Sequence, residues 1–182
     1  MSSINVNTIN EYTSANGVTI DSVLIKDGVV AGKATEADQY QINSDISSDT
    51  NPITTFVRPS GKLQAYPGTG MSQSSGTWTF PSTGYYEIFL YGRIKVTGSG
   101  DSAYYAVQAS DDNFSSDDQI IALRCEVENG DRVSIAGKVI VKITDTSNDK
   151  VRINFDEVSN AVLEGGSNEM VSGVIFTKLG DI

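Results

Sequence analysis

Histidine is absent from this 182-residue chain, which removes the usual general base at neutral pH and the commonest metal ligand. Cys125 is the single cysteine, so an intrachain disulfide and a cysteine-based zinc site are both excluded. Its place in the apolar-rich run 120–127 reads as a small core residue rather than a reactive thiol. No stretch approaches ~18 consecutive apolar residues, so no membrane span is expected. Residues 1–7 carry neither the basic region nor the apolar run of a secretory signal. Positive charge is scarce as well: 13 basic residues stand against 23 acidic ones, a net charge of -10. Such a surface repels phosphate backbones and anionic lipid, which argues against nucleic-acid and membrane partners. With no nucleophile elbow and no glycine-rich phosphate loop, no enzyme class and no cofactor gain support.

What remains is a β pattern punctuated by turns. Residues 85–96 alternate strictly. Tyr86, Ile88, Leu90, Gly92, Ile94 and Val96 share one side, while Tyr85, Glu87, Phe89, Tyr91, Arg93 and Lys95 share the other. That is the period of two expected for a sheet with one strongly buried face. The second face is apolar near its start, and aromatic residues in such a position suggest a subunit contact. Further strands are predicted over 103–109, 120–127, 132–143, 150–155 and 171–177, separated by Gly-, Asn-, Asp- and Ser-rich spacers. No segment has the length and 3.6-residue period of a substantial helix, so the fold class is all-β: a sandwich, barrel or jelly roll. Residues 31–50 mix Gly, Ser, Asp and Glu with scattered apolar residues and read as a connector. The expected organisation is a small N-terminal β module at 1–35, a connector at 36–52 and a β domain at 53–182.

The segment 9–30 holds two short apolar runs, Val18-Thr19-Ile20 and Val23-Leu24-Ile25, set off by Asn16-Gly17 and Asp27-Gly28. It resembles a module recurring near the ends of bacteriophage fibre, spike and capsid-decoration proteins. A β piece this small lacks a core of its own and needs a partner to order it. Further on, Phe80-Pro81-Ser82-Thr83-Gly84-Tyr85-Tyr86-Glu87-Ile88, Asn148-Asp149-Lys150-Val151-Arg152-Ile153 and Ser172-Gly173-Val174-Ile175-Phe176 occur in that order. They resemble the strand motifs of the tumour necrosis factor and complement globular-head superfamily, with Ile88 in place of that family's aromatic. The resemblance implies a C-terminal antiparallel jelly roll that forms a homotrimer, with Tyr86, joined by Tyr85, Phe89 and Tyr91, as the trimer-interface candidates.

Two clusters suggest ligands. Asp111, Asp112, Asp117 and Asp118 gather in one loop, and hard oxygen ligands of this kind can hold calcium, although the EF-hand spacing is not met and a solvated loop is the simpler reading. Trp78, Tyr85, Tyr104 and Tyr105 could form a sugar platform, although core and interface packing are commoner fates for such residues. Together these features predict a non-enzymatic phage virion protein, a trimeric capsid decoration (cement) protein that stabilises the head shell. Its partners would be its own copies and the major capsid protein or other virion proteins. Capsid anchoring falls to Ile9, Tyr12, Val18, Ile20, Val23 and Ile25. It would assemble in the host cytoplasm and sit on the outer surface of the capsid. The alternative is a short tail fibre or receptor-binding knob that binds host-surface glycan.

Overall fold

The structure, a computed structural model, describes residues 18–20, 23–26, 29–30, 36–61, 64–98, 102–125, 129–167 and 169–182. The chain divides into two compact units, Met1–Lys33 and Ala34–Ile182. In the first, β1 (Val18–Ile20), β2 (Val23–Lys26) and β3 (Val29–Val30) form a three-stranded antiparallel sheet. Val18 pairs with Ile25 and Ile20 with Val23. The strands lie where the two β-branched runs predict them. Asn16-Gly17, Asp27-Gly28 and the anchoring candidates Ile9 and Tyr12 fall outside the described residues.

The second unit packs two antiparallel sheets face to face. One takes the order β10 (Asp118–Cys125), β9 (Ser102–Ser110), β12 (Lys150–Ser159), β7 (Thr77–Thr79), β6 (Ser72–Ser74). The other takes the order β11 (Arg132–Ile143), β8 (Gly84–Val96), β14 (Gly173–Gly180), β4 (Ala37–Ile42), β5 (Phe56–Val57), with β13 (Ala161–Leu163) also on β8. Several neighbours in these sheets, β9 with β12, β12 with β7, β8 with β11 and β14 with β8 and β4, are non-consecutive, as crossing jelly-roll connections require. β6 and β7 are joined by Ser75-Gly76, both at positive φ (48° and 79°), the two-residue turn whose twist matches a hairpin. No helix occurs among the described residues.

Burial follows the alternation in the sequence. Along β8 the even-numbered residues from Tyr86 to Val96 are buried and the odd-numbered ones are not. The core joins the sheets through aromatic rings. Trp78, completely buried on β7, meets Tyr40 at 4.4 Å, Phe176 at 5.3 Å and Phe56 at 5.5 Å, all three from the opposite sheet. The two edge-on contacts, with Tyr40 and Phe56, add about 0.5–1.5 kcal/mol each beyond the area they bury.

Residues 36–52 do not form the expected connector. Ala37–Ile42 is a full strand between β14 and β5, and the segment that follows is held by bridges from Ile46 to Leu163 and from Thr50 to Phe155. The sequence Ala-Asp-Gln-Tyr-Gln-Ile reads as polar, yet Asp38 and Gln41 are buried there alongside Tyr40 and Ile42. Hydrogen-bond partners from elsewhere in the chain make that tolerable. Asp38 accepts hydrogen bonds from the Arg58 guanidinium and the Met71 amide, and Gln41 donates to the Gly166 carbonyl. The boundary between units therefore lies at 33/34 and not beyond residue 50.

Candidate subunit interface

The outward face of the β11–β8–β14–β4 sheet is built in rows set by strand register. Ala136, Tyr91, Gly173 and Gln41 make one row. Lys138, Phe89, Ile175 and Gln39 make the next, followed by Ile140, Glu87, Thr177 and Ala37. Lys142 and Tyr85 close it. Phe89 and Tyr91 stack with centroids 5.8 Å apart, and around them Ile140 is 60% and Tyr85 41% exposed. Scattered exposed apolar residues are ordinary, whereas aromatic and aliphatic residues grouped on the longest strands are of the kind in which subunit interfaces are enriched.

The same face is cationic. Arg93, Lys95, Arg132, Lys138 and Lys142 project from β8 and β11, five of the chain's 13 basic residues. Glu87 is their carboxylate neighbour in the rows, 2.9 Å from Lys138 Nζ. At one end the buried carboxylate of Glu164 receives Arg93 Nε at 2.5 Å and Arg132 Nε at 2.9 Å. Burial raises the Glu164 pKa, but the hydrogen bonds and charges of Arg132 and Arg93 outweigh it, and the net shift is downward. This clamp ties the segment after β13 to both β8 and β11.

Of the four predicted interface residues, Tyr85, Phe89 and Tyr91 lie on this face. Tyr86 does not. It is 1% exposed inside the chain's own core, its ring 4.9 Å from Phe80 and its hydroxyl donating to the Ser82 carbonyl. The assignment fails for the reason the strand pattern itself contains: an even-numbered residue of β8 belongs to the covered side. Tyr91 carries an oddity. Its hydroxyl is buried without a hydrogen-bond partner, and burial pushes its pKa up to about 12.

The acidic loop does not assemble an ion site. Among the described residues no group of three or more carboxylates is placed to hold a metal ion. The Asp112 carboxylate instead accepts from the Ser116 amide at 2.9 Å, the Ser116 hydroxyl at 2.7 Å and the Ser110 hydroxyl at 2.8 Å, which lowers its pKa to about 2. Its role is to shape the turn. The suggested sugar platform is not assembled, because two of its four rings, Trp78 and Tyr105, are completely buried.

Sequence reasoning gave no sign that Ser82, Tyr86 and Lys178 meet. Lys178 Nζ stands 3.1 Å from Ser82 Oγ, which is 3.0 Å from the Tyr86 hydroxyl. A serine beside a lysine can be nucleophilic machinery only if the lysine can give up its proton. Here the Asp181 carboxylate bonds Lys178 Nζ at 2.5 Å and raises its pKa, so the ammonium acts as a hydrogen-bond donor that ties β14 to the turn before β8.

No family model and no curated protein matches the chain. Solved structures do. Eiger TNF from S. frugiperda superimposes with a TM-score of 0.63 at 12% identity, covering 82% of this chain and 96% of that one. Murine APRIL at pH 5.0 gives 0.60 at 9% identity, and at pH 8.5 it gives 0.56 at 10%, each covering 79% of this chain and 98% of that one. The sandwich is a jelly roll of the tumour necrosis factor kind.

Proposed function

We propose that this chain is a non-enzymatic structural protein that works as a homotrimer packed through the β8–β11–β14 face. The observation that carries this reading is the coincidence of an exposed apolar patch and a cationic one on a single sheet of a strongly acidic protein. An isologous dimer through this face would set lysines and arginines against their own copies. A cyclic ring instead brings one patch against a different one on the next subunit, and the remaining surface of the chain is acidic. Charge complementarity therefore favours a ring, and the fold likeness is consistent with three members. Light scattering tests it: the expected mass is three times 19.5 kDa, and a strictly monomeric mass at micromolar concentration defeats the proposal.

The finer reading is a capsid decoration protein that stabilises the head shell from its outer surface after assembly in the host cytoplasm. Its support is the phage-like segment 9–30 together with the separation of the first 33 residues as a unit of their own. Three copies of a weak anchor would gain by avidity. The partner would be the major capsid protein or another virion protein. Quantitative mass spectrometry of particles decides between locations: hundreds of copies support a capsid role, and a few dozen or fewer place the chain in a tail fibre.

A further inference from the structure

A small cleft of about 190 Å³ opens beside the edge strand β5, lined by Gln39, Arg58, Pro59, Gln64, Ala65 and Tyr66. Its floor is fixed by a buried network. Asp38, 2% exposed, takes Arg58 Nε at 3.2 Å and Nη2 at 2.8 Å, and Nη2 also donates to the Met71 carbonyl at 2.8 Å. The guanidinium lies over two rings, 5.1 Å from the Tyr40 centroid and 4.3 Å from that of Tyr66, which remains 43% exposed. Arg58 is thus held rigidly, with Nε and Nη2 making all its hydrogen bonds to described residues and Nη1 left for a ligand.

The remaining groups complete a pattern. Gln64 Oε1 accepts from the Gly61 amide at 2.5 Å, which leaves its Nε2 as a donor. Gln39 Nε2 donates to the Ala65 carbonyl at 3.4 Å, which leaves its Oε1 as an acceptor. Two donors and one acceptor therefore surround the ring of Tyr66 and the apolar Pro59. Because Asp38 neutralises Arg58 and no other cation among the described residues lines the cleft, the described groups favour a neutral ligand over an anion. Vicinal hydroxyls beside an apolar ring face do fit. The volume suits a single ring, well below the ~300–1,000 Å³ of drug-sized pockets.

We propose that this cleft binds one neutral pyranose unit of a glycan, with C–H bonds stacked on Tyr66 and hydroxyls bonded to Arg58, Gln64 and Gln39. It stands independently of the trimer reading. Saturation-transfer NMR of the full chain with the methyl glycosides of glucose, galactose, mannose and N-acetylglucosamine tests it. The expected result is transfer to at least one of the four, with affinity reduced roughly tenfold by Tyr66→Ala. Should Tyr66→Ala lose the parent's cooperative melt, Gln64→Ala carries the same reading. No transfer to any of the four, or transfer undiminished in the folded variant, overturns the proposal.

Discussion

Tyr91 lies directly across from Gly173 on the antiparallel pair β8–β14, and its ring covers the glycine. A Cβ at position 173 would fall 2.6 Å from the Tyr91 hydroxyl and 2.1 Å from the Tyr40 carbonyl oxygen. The two residues therefore fit only as a pair. Because the Tyr91 hydroxyl is buried without a partner, Tyr91→Phe removes a desolvated group at no cost in contacts and is expected to stabilise the fold by about 1 kcal/mol. Gly173→Ala should destabilise it by roughly 1–3 kcal/mol, since a backbone carbonyl must move. Urea unfolding of both variants checks the opposite signs.

The Arg93–Glu164–Arg132 clamp predicts a loss of stability in acid. A carboxylate whose folded pKa is depressed contributes stability above its unfolded value and loses it as pH falls through the folded one. Glu164 shifts downward, so its share is present at neutral pH and disappears below the ordinary glutamate range near 4.5. Urea midpoints at pH 7 and pH 3 should differ less in Glu164→Gln than in the parent; an unchanged gap would show that the clamp contributes nothing.

Arg58→Ala leaves the Asp38 carboxylate buried with its charge unpaired. Removing one member of a pair whose partner is inaccessible costs more than the pair itself is worth. The expected loss is roughly 2–4 kcal/mol, the lower part of that range allowing for the partial exposure of the guanidinium. Thermal melting of Arg58→Ala alongside the double variant Arg58→Ala, Asp38→Asn should show partial recovery in the second.

Ile140 is the most exposed large apolar residue of the proposed association face. Ile140→Glu leaves the core untouched, so the monomer should keep its melting profile while the oligomer dissociates. Sedimentation across a hundredfold dilution range reads the difference, and an oligomer as tight as the parent's would remove this face from the interface.

Deleting residues 1–33 should leave a folded sandwich, because all of the second unit's described core comes from Ala34 onward. On the decoration reading the truncated protein no longer binds particles. Circular dichroism and particle co-sedimentation separate the two statements.

Much of the fold was legible because apolar periodicity reported burial directly. The strict alternation of 85–96 gave both the length and the faces of β8, and 132–143 coincides with β11. β4 was hidden by its chemistry. Asp38 and Gln41 look like loop residues in sequence, and only Arg58, Met71 and Gly166, all distant along the chain, turn them into buried strand residues. The outward face of β8 and β11 was half legible for a related reason. Phe89 and Tyr91 stood out as aromatics on the wrong side, whereas Ile140 joins them through a pairing across more than forty residues that no local pattern encodes. The Tyr66 cleft had no signature at all, since Arg58, Gln64 and Gln39 are oriented by bonds to Asp38, Gly61 and Ala65 that no local pattern encodes.

The position of β14 governs the order in which the molecule can be made. It inserts between β8 and β4, so during synthesis β4 and β5 leave the ribosome more than a hundred residues before the strand that joins them to the rest of their sheet. Until then β4 has only β5 beside it, and Trp78, which packs on Tyr40 and Phe56, lacks its third ring partner, Phe176 of β14. β14 thus joins the two halves of the sheet through pairings with strands about eighty and more than a hundred residues earlier, the kind of non-local topology associated with slow folding.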